Sequence, residues 1–557
     1  MNRLFWVFKI ALVFIVLGSI ELHGQTIPVG TPILEDYYRK AQLLGQIDSS
    51  FSFMARPFFP DYSLKTVYSF DPDSTLQHNR FNNYDGSYRL GKGKVIIQLL
   101  PVTLLQQYNS DHAAGRNDGL MIPNRGYQTL LSAGVFLKYG PLSIQLRPEF
   151  VYAENKAEVK KTYDGIPYNS QIDDQYANYI SGIDLPGRFG DKPFTKASWG
   201  QSSIRLTVGP VSFGLSNENL WWGPGIQNAL LMTNNAPGFK HFTLNTVKPI
   251  RTPIGSFEGQ IIAGRLDESG FSPNKPSDWR YLNGMVISYQ PRWVPGLFLG
   301  ATRAFYYYHK DMKNSFSALL PVIDFFHKKS GGVNPQDVQD MDQLASVFMR
   351  WIWTKGHGEI YFEYGREDHF WNLRDLMMEP TSSAAYMLGF RKLIPLRKDN
   401  EEYMQVNMEV TQLEMDNITL NRLGGSWYGH SSIIHGYTND GQVLGAGIGP
   451  GSNMQTINIS WNKKLKSIGI QFERYVHDND FFHYYIKDIR TNWVDLSAAV
   501  LSEWNYKNLL FNLKLETIRS KNYKWQYNPI LATPQNYWSW THDVMNFHGE
   551  LGITYRF

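Results

Sequence analysis

The amino-acid sequence predicts an all-β fold: a transmembrane antiparallel β-barrel of about 18 strands with a short N-terminal helical or plug region. Three observations support this prediction. Apolar and polar residues alternate in segments from about residue 91 onward, the connections between the segments are alternately short and long, and the last segment ends on Phe557. In membrane barrels, alternate residues face lipid and lumen, one end has tight turns, and the other end has long loops.

Residues 1–24 are predicted to be a cleaved signal peptide. Arg3 and Lys9 lie beside or within the apolar run Leu4–Leu17, which is too short to cross a bilayer as a helix. We place the cleavage near Gly24–Gln25, and the leader predicts export. The sequence contains no cysteine, which excludes a lipidated thiol and any disulfide.

The composition of the remaining chain fits a barrel better than a helical membrane protein. After the leader, the sequence has no run of about eighteen apolar residues. The mean hydropathy is −0.35, yet 15% of the residues are Phe, Tyr or Trp. Aromatic girdles with only alternate residues facing lipid explain this combination. The net charge of +4 is too small to indicate nucleic acid or a strongly acidic ligand.

Residues 25–90 are predicted to form a small periplasmic helical or plug region. Thr31 is the expected N-cap of a helix that begins at Pro32 and ends near Gly45. The stretch that follows is polar and rich in turn residues. The barrel is then assigned to residues 91–557.

The barrel region divides into segments of period two, and their even number suits a single-chain bacterial barrel. The predicted strands are 92–107, 128–138, 141–154, 201–208, 211–217, 241–249, 254–265, 281–290, 296–309, 344–354, 358–366, 383–393, 401–413, 454–463, 465–475, 494–506, 508–520 and 546–557.

The lengths of the connections predict the topology. Short turns such as 139–140 and 209–210 alternate with long connections, which are 155–200, 218–240, 310–343, 414–453 and 521–545. Because outer-membrane barrels have tight periplasmic turns, we expect Phe557 to end on the periplasmic side. We expect the outer-membrane lipid to surround the barrel and the barrel-assembly machinery to recognise its C-terminal strand.

Polar residues on alternate strand positions are predicted to face the lumen, since a charge facing lipid near the midplane costs about 2–4 kcal/mol. Both signs of charge are present, so we expect cross-strand ion pairs that stiffen the wall and close the channel. These lumen-facing residues are Arg147, Glu149, Arg205, Glu409, Lys514, Glu516, Glu550 and Arg556.

The segment 216–239 is the best candidate for ligand binding. Two tryptophans precede Gly223–Pro224–Gly225, which places two large rings on a tight turn. Aromatic faces pack on sugar C–H surfaces, and amides and carboxylates bond hydroxyls. The alternative is an interfacial aromatic belt or a loop that plugs the barrel mouth. The polysaccharide-binding candidates are Asn217, Glu218, Asn219, Trp221, Trp222, Asn228, Asn234 and Asn235.

The run 221–225, followed by Asn234–Asn235–Ala236–Pro237, resembles the signature of the capsule assembly Wzi family. The resemblance implies an outer-membrane barrel of eighteen strands with an N-terminal helical region. It also implies a lectin, without catalysis or cofactor, that holds capsular polysaccharide or exopolysaccharide at the cell surface.

Other sequence features give weaker indications. His430–Ser431–Ser432 lacks a nucleophile elbow, and Asp478–Asn479–Asp480 with His477 and His483 matches no ordered metal-binding loop, so both are interpreted as polar external loops. No metal, cofactor or catalytic set is assigned. The leading hypothesis is a surface polysaccharide-binding protein. A passive or sugar-selective porin is the alternative, and an outer-membrane hydrolase is a third hypothesis.

Overall fold

The computed structural model describes residues 25–60, 69–73, 76, 87–160, 168–180, 183–272, 275–312, 319–323, 341–367, 373–397, 402–416, 426–526, 535 and 543–557. The predicted signal peptide and parts of the predicted long loops lie outside these residues.

Strands dominate the described chain. They are β1 (Ala55–Arg56), β2 (Ser87–Leu90), β3 (Val95–Ala114), β4 (Asn124–Tyr139), β5 (Leu142–Leu146), β6 (Glu149–Ala153), β7 (Phe194–Ser198), β8 (Ser203–Val208), β9 (Val211–Ser216), β10 (Trp221–Trp222), β11 (His241–Thr246), β12 (Ile250–Thr252), β13 (Gly255–Leu266), β14 (Arg280–Pro291), β15 (Leu297–Tyr308), β16 (Asp342–Trp353), β17 (Gly358–Glu367), β18 (Ala384–Pro395), β19 (Glu402–Gln412), β20 (Thr438–Asn439), β21 (Gln442–Val443), β22 (Asn453–Lys463), β23 (Lys466–Val476), β24 (Val494–Tyr506), β25 (Leu509–Lys521) and β26 (Val544–Tyr555).

Helices are few and short in the described residues. They are α1 (Pro32–Leu43), α2 (Ser170–Tyr179), α3 (Leu373–Met378) and α4 (Asn479–Phe481), together with single helical turns at His309–Asp311, Pro321–Ile323, Phe482–Ile486, Ile489–Thr491 and Tyr523–Trp525. None of the helices in the described part of the chain is long and apolar enough to cross a membrane.

The large sheet is antiparallel and closes on itself where β26 pairs with β3. Counted over the described residues, the wall has eighteen crossings. Three crossings are interrupted and consist of β5 with β6, β7 with β8, and β11 with β12, whereas β2 only pairs with the start of β3 and is not counted as a crossing. The predicted fold class and strand number are therefore confirmed. The interruption after β5 falls at Pro148, which has no N–H to donate to a neighbouring strand.

The two faces of the wall alternate as the sequence predicts. Ile204 and Leu206 of β8 are 52% and 48% exposed on the outside, whereas Arg205 between them is 2% exposed. Phe213 and Leu215 of β9 repeat the pattern. The apolar outer surface is the face that lipid covers, and the polar face is inside.

The N-terminal segment lies inside the end of the barrel that carries the short turns. Arg39 of α1 forms a 2.8 Å ion pair with Glu359 of β17, and Lys40 donates to the Asn462 side chain at 2.8 Å. β1 pairs with β10, so the segment also holds the residues that follow β9. Together these contacts anchor the N-terminal segment to the wall and to the lumen contents.

The start of α1 differs in detail from the prediction. Thr31 precedes the helix, but its hydroxyl donates to the Pro28 carbonyl at 2.7 Å and does not accept a helical N–H. Glu35 instead accepts from the Gly30 N–H at 3.2 Å. The helix packs against aromatic residues of the N-terminal segment, as Tyr38 and Phe58 meet edge to face at 5.6 Å. The division into a 25–90 region and a 91–557 barrel stays a prediction.

Candidate functional site

Residues 217–239, here called the lumen loop, leave the wall after β9 and fold into the barrel. Glu409 of β19 accepts hydrogen bonds from the backbone N–H groups of Ile226 and Asn228, both at 2.8 Å. Glu363 of β17 accepts the N–H of Leu230 at 3.1 Å. Because buried N–H groups require acceptors, these two wall carboxylates hold the loop inside the lumen.

Gly223 lies where this loop closely approaches Glu363 of the wall. Its φ of +108° is a conformation that residues with a side chain rarely adopt. A Cβ atom at this position would lie 3.0 Å from a carboxylate oxygen of Glu363. A larger residue would strain the backbone and displace the glutamate, which explains the glycine beside the two tryptophans.

The two tryptophans of the lumen loop are buried inside the barrel and are not exposed on an external loop. Trp222 is 0% exposed and donates from Nε1 to Gln260 of β13 at 2.9 Å. Trp221 is 4% exposed, with the Arg56 guanidinium 4.5 Å from the centre of its ring. Both rings pack the loop onto the wall and the N-terminal segment. Their contact with polysaccharide stays a prediction.

Glu218 joins three parts of the molecule. It is fully buried, forms a 2.6 Å ion pair with Arg205 of β8, and accepts from the Thr26 hydroxyl. Burial acts to raise the pKa of this carboxyl, but Arg205 and the hydroxyl donors outweigh it, so the pKa is lowered. The carboxylate is therefore a fixed link between the N-terminal segment, the lumen loop and the wall.

The predicted asparagines mostly satisfy buried backbone groups. Asn219 is buried and Asn217 is half-buried; each donates to carbonyl oxygens within or beside the loop. Asn234 donates to the Asn117 carbonyl at 2.7 Å, and Asn228 donates to the Thr411 hydroxyl at 3.2 Å. The remaining one donates to the Val443 carbonyl at 3.0 Å. That residue is Asn235. Among the described residues that line the cavity presented below, Asn235 is the only one of the eight binding candidates.

The eight strand residues predicted to face the lumen are buried or half-buried. Four of the eight have ion pairs, and none of these pairs runs across neighbouring strands. Arg205 binds Glu218 of the lumen loop, Lys514 binds Glu516 on its own strand at 2.9 Å, and Arg556 binds Asp71 of the N-terminal segment at 3.2 Å. The other partners are Thr103 and Ser132 for Arg147, Gln201 for Glu149, Tyr361 for Glu409, and Gln107 and Asn512 for Glu550.

A cavity of about 600 Å³ lies in the half of the barrel that carries the long loops. Its inner wall comes from β22 to β26 and from residues 112–118. Its roof comes from α2, from residues 477–478 and 493, and from 523–525. The roof elements pack through aromatic rings: Tyr176 of α2 meets Phe481 at 5.0 Å and Trp525 at 4.9 Å. The closed barrel thus brings distant segments around one chamber.

Aromatic rings form one side of this cavity. The Trp493 ring stacks on His477 at 3.6 Å between ring centres, and His477 lies 3.8 Å from the Tyr475 ring. Tyr523 meets Trp493 edge to face at 5.1 Å. His477 is held by a 2.7 Å contact from Nε2 to Asp495. These contacts give the aromatic side a defined shape, as a rigid binding platform requires.

Carboxylates dominate the charged part of the lining. Burial, together with the nearby charge of Glu550, raises the pKa of Asp118 to about 7. Burial and the neighbouring Asp480 raise the pKa of Asp478 well above its usual range. Both groups lie in connections between strands, and burial disfavours the charged form of each.

Most cavity residues were not among the sequence-predicted site residues. The sequence did indicate the segment with His477 and Asp478, but as a polar loop or a weak metal candidate. In the structure, His477 turns to Asp495, and among the described residues no three His, Asp or Glu side chains are grouped to hold a metal ion. The cavity includes lumen-facing Lys514, Glu516 and Glu550, which parity alone assigned to the inside.

Comparison with protein families gives a match over most of the barrel. The model of the family described as capsule assembly protein Wzi matches residues 122–509. The chain belongs to the capsule assembly protein Wzi family. This confirms the predicted family, the capsule-assembly role and the outer-membrane location. The comparison with curated protein sequences gives no match.

Comparison with solved structures supports the fold. Wzi of Escherichia coli, described as an outer-membrane carbohydrate-binding β-barrel involved in group 1 capsule assembly, has a TM-score of 0.59 and 11% identity, covering 96% of this chain and 99% of that one. Acinetobacter baumannii OccAB4 has a TM-score of 0.37 and 10% identity, covering 82% of this chain and 96% of that one. Pseudomonas aeruginosa OccK8 has a TM-score of 0.38 and 9% identity, covering 82% of this chain and 97% of that one. The last two similarities are too weak to support an argument.

Proposed function

We propose that this protein binds exported polysaccharide at the cell surface in the cavity beneath the outer loops, and that it helps to anchor or organise the polymer. The observation that carries the proposal is the aromatic wall around Trp493 standing beside carboxylates and amides in one chamber. Aromatic faces pack on the apolar surfaces of sugars, and the polar groups bond hydroxyls in fixed directions.

The size of the chamber supports a short stretch of glycan as the ligand. About 600 Å³ lies within the range of about 300–1,000 Å³ that is usual for small-ligand sites. A polymer presents the same repeat many times along its length and to many copies of the protein. Modest affinity per site is therefore enough to retain a chain at the surface. Wzi of Escherichia coli, to which this chain is similar, is described as a carbohydrate-binding barrel, which agrees with this proposal.

The proposal has the protein act by binding and not by catalysis. Its other proposed partners are the lipid around the apolar outer face and the barrel-assembly machinery, which would read the C-terminal strand ending at Phe557. The N-terminal segment and the lumen loop occupy the barrel, with Arg39 and Glu409 among their anchors. This occupancy favours a binding protein over a porin, and we expect little conductance in planar bilayers.

The test compares polysaccharide binding by the native protein and by Trp493→Ala, using polymer isolated from the producing cells. Loss of one ring contact worth about 1.5 kcal/mol should weaken binding about tenfold. Trp293→Ala is the matched control, because Trp293 is 70% exposed in the short turn between β14 and β15, at the opposite end of the barrel. Heat-modifiable migration on gels verifies that both variants fold. Equal binding by the two variants would place the ligand elsewhere, and no binding by native protein would refute the proposed function.

A further inference from the structure

A group of buried residues lies on the outer face of the wall, near the end of β14 and β15 that carries the long loops. Their strand positions have the parity of Ile287 and Leu299, which are exposed on the lipid-facing side. These buried residues are Tyr281, Asn283, Phe305 and Tyr307. Each is at most 7% exposed, so protein and not lipid covers the outer face of the wall at this point.

Residues 319–323, here called the strap, contribute to this cover. They belong to the long connection between β15 and β16. The Val322 N–H donates to the side-chain oxygen of Asn283 at 3.1 Å, and the Tyr281 hydroxyl donates to the Leu319 carbonyl. The helical turn Pro321–Ile323 contacts both strands, and Val322 is fully buried. The strap therefore lies against the outside of the barrel wall.

The turn of the strap needs no water for its N–H groups. Pro321 has none, the Val322 N–H is bonded to Asn283, and the Ile323 N–H donates to the Leu320 carbonyl at 3.2 Å. Hydrocarbon offers no hydrogen-bond partner, so an irregular segment tolerates contact with lipid only where protein groups satisfy its backbone. The turn meets this requirement for its donors.

The side of the strap that points away from the wall is apolar. Residues 319–323 read Leu-Leu-Pro-Val-Ile, and the side chains at the two ends, Leu319 and Ile323, are 41% and 49% exposed. The exposed apolar wall continues below the strap at Ile287. Toward the loops, the guanidinium of Arg265 lies 5.2 Å from the centre of the Trp279 ring. Tryptophan and snorkelling arginine are typical of the headgroup level of a membrane.

From this arrangement we infer that the strap is a membrane contact. Leu319 and Ile323 enter the outer leaflet at the border between headgroups and hydrocarbon, and lipid acyl chains are their partner. The strap continues the lipid-facing surface, so its apolar side chains leave water together with that surface when the barrel is in the membrane. The contact ties the long connection between β15 and β16 to the membrane surface. This inference goes beyond polysaccharide binding and does not depend on it.

The experiment uses the absence of cysteine from the chain, which allows one nitroxide label at a chosen site. Ile323→Cys is labelled in the full chain in lipid vesicles. Power-saturation EPR then compares collisions with molecular oxygen, which concentrates in hydrocarbon, and with a nickel chelate, which stays in water. Ile287→Cys on β14 is the lipid control, and Gln175→Cys on the exposed side of α2 is the water control.

The ratio of oxygen to nickel collisions at Ile323→Cys should match the ratio at Ile287→Cys and exceed that at Gln175→Cys severalfold. A ratio equal to that of Gln175→Cys would overturn the inference, because the strap would then face water. Few collisions with either reagent would overturn it as well, since a second copy of the chain would then cover the strap.

Heat-modifiable migration on gels verifies that each labelled variant folds. Leu319→Cys, at the other end of the strap, takes the place of Ile323→Cys if that variant does not fold, and the same ratios are expected. No polysaccharide enters the measurement, so its result leaves the proposed function to its own test.

Discussion

Glu359 offers the sharpest test of how the barrel holds its N-terminal segment. Its carboxylate is 0% exposed and lies among three guanidinium groups. Arg350 of β16 binds it at 2.5 and 2.6 Å, Arg39 of α1 binds it at 2.8 Å, and Arg391 of β18 lies 3.8 Å away. Glu359→Gln keeps the volume of the side chain and removes its charge.

The expected loss in the free energy of unfolding follows from the arginine charges that the substitution leaves unpaired. Arg391 keeps Asp36 of α1 at 2.7 Å, so the cost falls mainly on Arg350 and Arg39. Breaking a buried ion pair from one side costs about 3–5 kcal/mol, because the partner charge stays buried without compensation. Asp48→Asn is the matched control. Its partner Arg251 is 73% exposed in the side chain, and such pairs are worth about 0–1 kcal/mol.

Two measurements on the full chain check this prediction. Urea unfolding in micelles, followed by tryptophan fluorescence, should show a clearly lower midpoint for Glu359→Gln than for Asp48→Asn. Planar-bilayer recordings should show higher conductance for Glu359→Gln, because Arg39 no longer anchors α1 in the lumen. If the two variants unfold at the same midpoint and conduct equally, the ion-pair cluster does not hold the segment, and the reasoning is refuted.

Three further predictions concern other parts of the molecule. Trp222→Ala should lower the free energy of unfolding by about 3–5 kcal/mol, since it empties a fully buried site; an unfolding midpoint equal to that of the native protein would contradict this. Burial raises the pKa of Asp480 from 3.8 to about 6. Between about pH 4 and 6 the carboxyl is therefore protonated in the folded state and ionised in the unfolded state. The free energy of unfolding should therefore fall as pH rises from about 4 to 6, by no more than about 3 kcal/mol. Asp480→Asn should show a smaller fall over that range when the two proteins are unfolded side by side. Ile204→Lys should destabilise the barrel by about 2–4 kcal/mol because its side chain faces lipid, and a neutral effect in lipid vesicles would show that this face is not in the membrane.

The site was harder to predict than the wall because the local sequence around its residues does not indicate which distant residues they contact. A Trp pair beside glycines suits an exposed sugar platform and a buried plug equally well. The contact that decides between them, Trp222 Nε1 to Gln260, joins residues 38 positions apart, and β10 also pairs with Ala55. Burial of such rings depends on long-range partners that local composition does not identify.

The sequence by itself determined the architecture of this protein. Alternation such as Ile204, Arg205, Leu206 assigns each side chain to lipid or lumen, because strand geometry has a period of two. Loop lengths then set the direction of the strands, and the run around Trp221 indicated the family.

Only the tertiary structure decided what fills the barrel and where a ligand fits. Barrel closure places β26 beside β3, which brings Glu550 near Asp118 and sets Arg116 against Glu473. These pairs are distant in sequence, and charge burial, ion pairing and cavity shape are properties of such contacts. The strand pattern specifies which residues face inward, whereas closure determines which of them meet.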